Sequence, residues 1–221
     1  MTDESDGFAF YRDQLRGRVW SGFFNAADWE REARDIAYDP EGEPHIAALG
    51  EIVKAEFAAK REVEKSWPKV TDWDRLDGAF HGLSKVGILA LHNAGYTTSD
   101  AHSDAWHIIN TEATAHWRGF VFYHGQDVER AVQNYPLYLG YDAVSQDPEA
   151  KRALGMEIAG KLRVVGFNLD WDGDPEQRMS ITNLDWKKRT EWDAETGTPA
   201  PRSPPPLATT SNSGFFRRLF G

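Results

Sequence analysis

Cysteine is absent from this chain of 221 residues, which excludes disulfide bonds, thiolate metal sites and cysteine nucleophiles. Basic residues are outnumbered, since 25 Lys and Arg stand against 35 Asp and Glu and give a formal net charge of −10. This charge argues against a protein that binds nucleic acid or anionic membranes over its whole surface, because phosphate contacts need clustered cations. No apolar run approaches the ~18 residues of a membrane span, and the first residues lack the pattern of a signal peptide. We therefore expect a soluble, cytoplasmic protein that binds no nucleic acid.

Apolar residues are frequent enough to build a core, since they make up 40% of the chain and include 9 Trp. In residues 1–68 they recur at steps of three and four, which predicts an N-terminal region of amphipathic helices. Asn25 is placed to cap the second of these helices. Trp67-Pro68 ends the region, because the residue before a proline avoids the α conformation.

Residues 69–195 change to a pattern in which short apolar runs alternate with helical stripes. Continuous apolar runs at 88–91, 119–123 and 137–141 predict strands that are buried on both faces. Two further strands are predicted at 164–169 and 178–184, joined by a hairpin-like turn. This order predicts an α/β domain with a mixed sheet of about five strands, helical crossovers and a C-terminal hairpin, behind the N-terminal helical layer.

The chain from residue 196 on has a different composition. Residues 196–213 contain five of the 11 prolines and predict a linker that cannot bury enough surface to order itself. Residues 214–221 predict a short amphipathic motif with apolar side chains on one helical face and two arginines on the other: Phe215, Phe216, Arg217, Arg218, Leu219 and Phe220. From residue 196 onward there are three Arg and no acid, so the whole acidic excess belongs to the rest of the chain.

This C-terminal motif, residues 214–221, offers the most specific hypothesis for a binding partner. In a hydrophobic groove of another protein, it would act as a compact anchor on a flexible tether. On an anionic membrane it would bind weakly and reversibly, well short of stable anchoring. The remaining interpretations are that it touches nothing, or that it folds back onto the acidic body of the same chain.

Histidines cluster in the predicted α/β domain, where six of the seven lie between His81 and His124. His92 and His124 each follow a predicted buried strand directly. If these strands are parallel neighbours, their carboxyl ends form one crevice, where we expect both imidazoles to converge. Residues placed in this crevice are His92, Asn93, His124, Gln126 and Asp127, with Tyr96, Thr97, Ser99 and Asp100 on its rim. The candidate catalytic residues among them are His92, His124, Asp127, Tyr96 and Asp100.

A histidine beside a carboxylate suits proton transfer near neutral pH, and two histidines with an aspartate could also bind a divalent metal. The same residues have a structural interpretation, in which the imidazoles cap strand ends and the acids interact with helix dipoles. His102 and His107 lie five apart, a poor match to the spacing that places two ligands on one helical face. Gly-x-Gly-x-x-Gly, Gly-Lys-Ser/Thr, Gly-x-Ser-x-Gly and His-Glu-x-x-His motifs are absent, so we predict no cofactor and no metal.

Three stretches of the predicted α/β domain carry a resemblance to a known family. They are RLDGAF at 75–80, NAGYTTSD at 93–100 and GFVFYHGQDVERAV at 119–132. Together they resemble an uncharacterised bacterial family that is catalogued only as a domain of unknown function, over about residues 73–186. The resemblance implies a bacterial origin and a single domain type, and it assigns no activity and no catalytic residue.

Three hypotheses from different classes of function follow from these observations. We predict an interaction or adaptor-type protein that docks an unknown protein partner through its C-terminal motif. The alternative is a hydrolase or metal-dependent enzyme, or a small-ligand sensor, that uses the crevice of His92 and His124. The sequence favours the first, because no motif with a reaction attached is present and the apolar face of the C-terminal motif has a physical reason to bind.

Overall fold

The computed structural model describes residues 6–36, 46–112 and 117–200. The chain divides into two compact units, a helical unit, Met1–Trp67 with Lys188–Gly221, and a sheet unit, Pro68–Lys187. The described ranges contain seven α-helices: α1 Asp6–Ser21, α2 Trp29–Ile36, α3 Ile46–Glu64, α4 Asp72–Ser84, α5 Thr98–Thr111, α6 Gly125–Val132 and α7 Pro148–Val164. They contain five strands: β1 Ile88–Leu91, β2 Gly119–Phe122, β3 Leu137–Ala143, β4 Leu169–Asp170 and β5 Met179–Ile181.

The helical unit packs α1, α2 and α3 around one apolar core. Its buried side chains include Tyr11, Leu15, Val19, Ala33, Ile46, Leu49, Val53 and Phe57. A short 3-10 turn, Ala26–Asp28, precedes α2, and the side chain of Asn25 caps it by accepting a hydrogen bond from the amide of Ala27 over 3.1 Å. The helices predicted from the steps of three and four are therefore confirmed, whereas Asn25 caps the 3-10 turn before α2 and not α2 itself.

Residues 188–200 belong to the helical unit, and we call them the C-terminal strap. The indole Nε1 of Trp192 donates to Glu64 Oε2 on α3 over 2.6 Å, and the amide of Thr190 donates to Oε1 of the same carboxylate over 2.8 Å. The strap then turns back on itself, with Trp192 bridged to Pro199. Contacts of this kind join residues far apart in the chain and leave no local pattern in the sequence. For this reason the sequence pattern assigned residues 188–195 to the α/β domain and not to the helical unit.

Only the first five residues of the predicted linker, 196–200, fall within the described part of the chain. They are the second half of the strap and pair with its first half. The amide of Ala200 donates to the carbonyl oxygen of Glu191 over 2.7 Å, and the amide of Asp193 donates to the carbonyl oxygen of Thr198 over 2.8 Å. The rest of the predicted linker, 201–213, and the C-terminal motif, 214–221, lie outside the described residues.

The sheet unit contains a five-stranded mixed sheet in the order β1-β2-β3-β5-β4. β1 and β2 are parallel, whereas the other three pairs are antiparallel, and β4 with β5 forms the C-terminal hairpin. The predicted α/β class and mixed sheet are confirmed. One strand was predicted too early, because α7 continues to Val164 and Gly166, with a φ of 92° that favours glycine, follows just after its end.

Side chains alternate between the two faces of β1 and β2. On one face, Leu89, Phe120 and Phe122 pack against the small residues Ala101 and Ala105 of α5. The intervening positions point to the opposite face, which α4 and α7 cover. No helix within the described ranges is both long and apolar enough to cross a membrane.

Candidate functional site

The carboxyl ends of β1 and β2 lie side by side, as the predicted crevice requires. Leu91 is paired with Phe122 in the parallel register, so His92 is level with Tyr123 and His124 comes one residue later. Successive side chains of a strand point to opposite faces. The two imidazoles consequently lie on opposite faces of the sheet, with His92 facing α4 and His124 facing α5.

His92 is part of a hydrogen-bonded chain on the α4 face. Its Nδ1 lies 2.7 Å from the hydroxyl of Tyr123, and its Nε2 lies 3.1 Å from Oδ1 of Asp77. The ring also stacks on Phe80, with the centroids 4.6 Å apart. Tyr123 is completely buried, and this burial raises its pKa well above the ordinary value. The arrangement ties α4 to the sheet through a phenol that solvent does not reach.

His124 is part of a different chain on the α5 face. Its Nε2 lies 3.0 Å from Oγ1 of Thr98, the first residue of α5, and its Nδ1 lies 3.2 Å from Oδ2 of Asp127 on α6. The imidazole and the carboxylate are nearly inaccessible, at 4% and 2% exposure. Arg178 neutralises the buried carboxylate, with Nη2 2.5 Å from Asp127 Oδ2.

The neighbours of His124 determine which nitrogen carries its proton. Nη1 of Arg178 lies 3.4 Å from Nε2, and a guanidinium nitrogen only donates, so Nε2 must present its lone pair. The amide of Asp127, 3.4 Å from Nδ1, is already bonded to the carbonyl oxygen of His124 over 3.0 Å. Nδ1 is therefore able to hold the proton, and it lies 3.2 Å from Oδ2 of the Asp127 carboxylate.

Electrostatics keep this imidazole neutral near pH 7. Burial lowers the pKa of His124 below its ordinary value, and the Arg178 cation acts on that pKa in the same direction. The carboxylates of Asp127 and Asp100 act on it in the opposite direction and do not prevail. A neutral imidazole with Nε2 unprotonated is able to accept a proton from the hydroxyl that faces it.

Tyr96 and Asp100, predicted on the rim, lie close to the His124 chain but are engaged in local contacts. The hydroxyl of Tyr96 donates to Glu129 over 3.2 Å. Asp100 Oδ2 accepts from the amide and from the hydroxyl of Thr97, each over 2.9 Å, and these bonds lower the pKa of Asp100. Both residues hold the start of α5, next to the start of α6.

The expected convergence of His92 and His124 in one crevice does not occur. The sheet separates them, because they occupy positions of opposite parity after two strands in register. Among the five candidate residues, the structure places His124, Asp127, Tyr96 and Asp100 around the starts of α5 and α6 and leaves His92 on the other face. The groups of His, Asp and Glu within the described ranges include none of three or more that could hold a metal ion.

Two residues of the His124 chain were missed by the sequence reasoning. Thr98 lies beside the predicted rim residues, and its position at the start of a helix was the one signal available. Arg178 follows Asp127 by 51 positions and reaches it through the pairing of β3 with β5. No sequence pattern connects two residues that only strand pairing brings together.

Comparison with known proteins places the chain in a family. A family model described as "Domain of unknown function (DUF6891)" matches residues 4–190. The chain belongs to this family. The match extends beyond the predicted 73–186 and includes the N-terminal helices as well as the whole sheet unit. No curated protein and no solved structure matches the chain.

Proposed function

We propose that this protein is an interaction protein that docks a protein partner through its C-terminal motif. The observation that carries the proposal is the sequence of residues 215–220, in which four large apolar side chains would share one face of a helix. Three aromatic rings next to two arginines have a strong hydrophobic drive to be covered, and a groove on another protein would cover them. The motif is basic whereas the rest of the chain is acidic, so a groove with an acidic rim would attract the motif and repel the body.

The C-terminal strap supports this arrangement because it gives the motif a defined root. Trp192 is bonded to Glu64, and its ring meets Phe57 edge-on with the centroids 6.2 Å apart. Arg61 lies over the same indole, 5.1 Å from its centroid. From Ala200, residues 201–213 would reach up to about 40 Å at the ~3.1 Å per residue of a proline-rich chain. A partner bound to the motif would be held within this distance of the helical unit.

The alternative, an enzyme or ligand sensor in which His92 and His124 share one crevice, has lost its geometric basis. The imidazoles face different helices, and the phenol bonded to His92 is completely buried. Chemistry at His124 alone does not depend on that convergence.

The test is capture of a partner by the full chain and by a chain that ends at Ala200. The truncated chain ends at residue 200 because residues 196–200 pair with the first half of the strap. Their removal would disturb the helical unit. A second variant, Phe216→Ser with Leu219→Ser, removes the apolar face at unchanged length, and Thr209→Ser with Thr210→Ser is the matched control. We expect the full chain and the control to retain a partner that the other two lose.

A synthetic peptide of residues 205–221 provides the decisive competition. If the motif docks in a groove, this peptide displaces the captured partner. The same peptide with Phe216→Ser and Leu219→Ser does not displace it. Equal capture by the full chain and the chain ending at Ala200 would contradict the proposal. If the peptide displaces no protein and the full chain sediments with phosphatidylserine vesicles, the motif binds a membrane surface instead of a protein groove.

A further inference from the structure

Three helices of the sheet unit start with a similar N-terminal cap, and one of them has a different residue type at the cap position. α4 and α5 each begin with a capping box in which an aspartate lies three residues after the cap, and at α6 the carboxylate of Asp127 likewise accepts from the amide of the cap residue over 3.1 Å. The cap is Thr71 in α4 and Thr97 in α5, but it is His124 in α6. Threonine is a preferred cap and histidine is not. Capping alone therefore does not account for an imidazole at this position.

The imidazole at this position joins a hydroxyl to a carboxylate. Thr98 Oγ1 lies 3.0 Å from His124 Nε2, and His124 Nδ1 lies 3.2 Å from Asp127 Oδ2. Thr98 is exposed, whereas the other two are buried. The residue that carries the hydroxyl is thus open to solvent, while the base and its carboxylate remain shielded from water. Nucleophile, base and orienting acid in this order are the arrangement that activates a hydroxyl for attack.

We propose that Thr98 is the nucleophile of an acyl-transfer site for ester substrates, with His124 as its general base and Asp127 as the positioning carboxylate. Oγ1 of Thr98 attacks the ester carbonyl carbon and its proton passes to Nε2 of His124. The carbon–oxygen bond to the leaving alcohol breaks, and that alcohol takes the proton from His124. Water then attacks the acyl-threonine with His124 again as base, which releases the carboxylic acid and restores the hydroxyl of Thr98.

Two groups are placed to stabilise the negative charge that develops on the carbonyl oxygen. Nη1 of Arg178 lies 3.4 Å from His124 Nε2, the same nitrogen that faces the Thr98 hydroxyl. Thr98 is also the first residue of α5; the first-turn amides of a helix have no intrahelical acceptor, and of those in α5 the amide of Asp100 is bonded to the Thr97 hydroxyl over 3.3 Å. Donors directed at the developing charge are the usual source of stabilisation in acyl transfer.

The test uses the full chain with two probes, p-nitrophenyl acetate and a fluorophosphonate, which phosphonylates an activated hydroxyl with loss of fluoride. We expect the fluorophosphonate to label Thr98, as read by peptide mass spectrometry, and the ester to be hydrolysed. His124→Thr is the sharpest variant, because it introduces the cap residue of the other two helices while it removes the base together with its contacts to Asp127 and Arg178. It should lower both labelling and hydrolysis by about 100-fold.

Three further variants separate chemistry from structure. Thr98→Ala should abolish labelling, and Thr98→Ser should retain it. Asp127→Asn should move the pH at which the rate is half-maximal downward, because the Asp127 carboxylate raises the pKa of His124. A purely structural role of Asp127 would leave that pH unchanged. Absence of labelling in the wild-type chain, or equal labelling of the wild type and a folded His124→Thr variant, would overturn the proposal.

Discussion

Nζ of Lys60, on α3, donates a hydrogen bond over 3.1 Å to the carbonyl oxygen of Val19, which lies in the last turn of α1. The same carbonyl oxygen accepts from the amide of Gly22 over 3.3 Å, so the Lys60 amine is its second donor and lies inside the core. Lys60 is completely buried and lies 3.7 Å from Glu64, the residue that also receives the indole of Trp192. One buried ion pair therefore connects α1, α3 and the strap within the helical unit.

The first prediction concerns the pH dependence of stability at this lysine. Burial lowers the pKa of Lys60 from 10.5 to about 8, with the Lys188 cation acting in the same direction and Glu64 opposing it. Between these pH values the unfolded chain holds a proton that the folded protein has released, so the free energy of unfolding rises with pH. The rise amounts to on the order of 3 kcal/mol. Urea denaturation at pH 7 to 10.5 measures it.

Lys60→Met serves as the reference for this prediction, because methionine fills similar space without a titrating group. The difference in unfolding free energy between wild type and variant should shift in favour of the wild type as the pH rises above 8. Lysines and tyrosines elsewhere titrate equally in both chains and cancel. A difference that stays constant with pH would show that Lys60 titrates alike in the folded and unfolded states.

The second prediction concerns the capping box of α4. Thr71 is 1% exposed, its hydroxyl oxygen accepts from the amide of Asp74, and the Asp74 carboxylate accepts from the amide of Thr71 over 2.7 Å. Thr71→Ala should lower the free energy of unfolding by about 1 kcal/mol, since it leaves the amide of Asp74 without its acceptor. Thr71→Ser keeps the hydroxyl and should lose clearly less. Equal losses for alanine and serine would assign the effect to the methyl group instead of the cap.

The third prediction compares two glycines in the sheet unit. A Cβ atom at Gly140 of β3 would lie 2.5 Å from the ring of Phe122, whereas one at Gly160 of α7 would meet nothing within 4 Å. Gly140→Ala should destabilise by about 1–3 kcal/mol because the ring is packed and has to shift. Gly160→Ala should stabilise by about 0.5–1 kcal/mol, because alanine restricts the unfolded chain within an unstrained helix. Chemical denaturation of both variants tests the opposite signs.

The fourth prediction concerns the ion pair of Asp127 and Arg178. Arg178→Met leaves a carboxylate that is 2% exposed without its cation and should cost roughly 3 kcal/mol of stability, as for other broken buried pairs. The matched control is Arg118→Met, which removes the partner of Glu157 in an exposed pair and should cost no more than about 1 kcal/mol. Urea denaturation compares the two. Similar losses would show that the Asp127 carboxylate is solvated without Arg178.

Much of the architecture was predictable because its signals are local. Helical stripes and caps depend on residues three or four apart, and buried strands depend on short apolar runs, so β1, β2 and β3 were found at their places. The predicted bounds of the hairpin strands were less accurate. Val164-Val165 has the composition of a strand, and only the φ of 92° at Gly166 shows that α7 extends this far. The neighbourhood of His124 and Asp127 was predictable for the same reason, because both belong to one capping box.

What the sequence by itself determined is the set of elements and the residues at their ends, because backbone hydrogen bonds and hydrophobic periodicity act over a few residues. The tertiary structure alone decided what those residues meet. The parallel register of β1 with β2 directs His92 and His124 to opposite faces, and the pairing of β3 with β5 brings Arg178 to Asp127. Packing likewise decided that Trp192 belongs to the helical unit, because its contact with Glu64 spans 128 positions and leaves no local pattern.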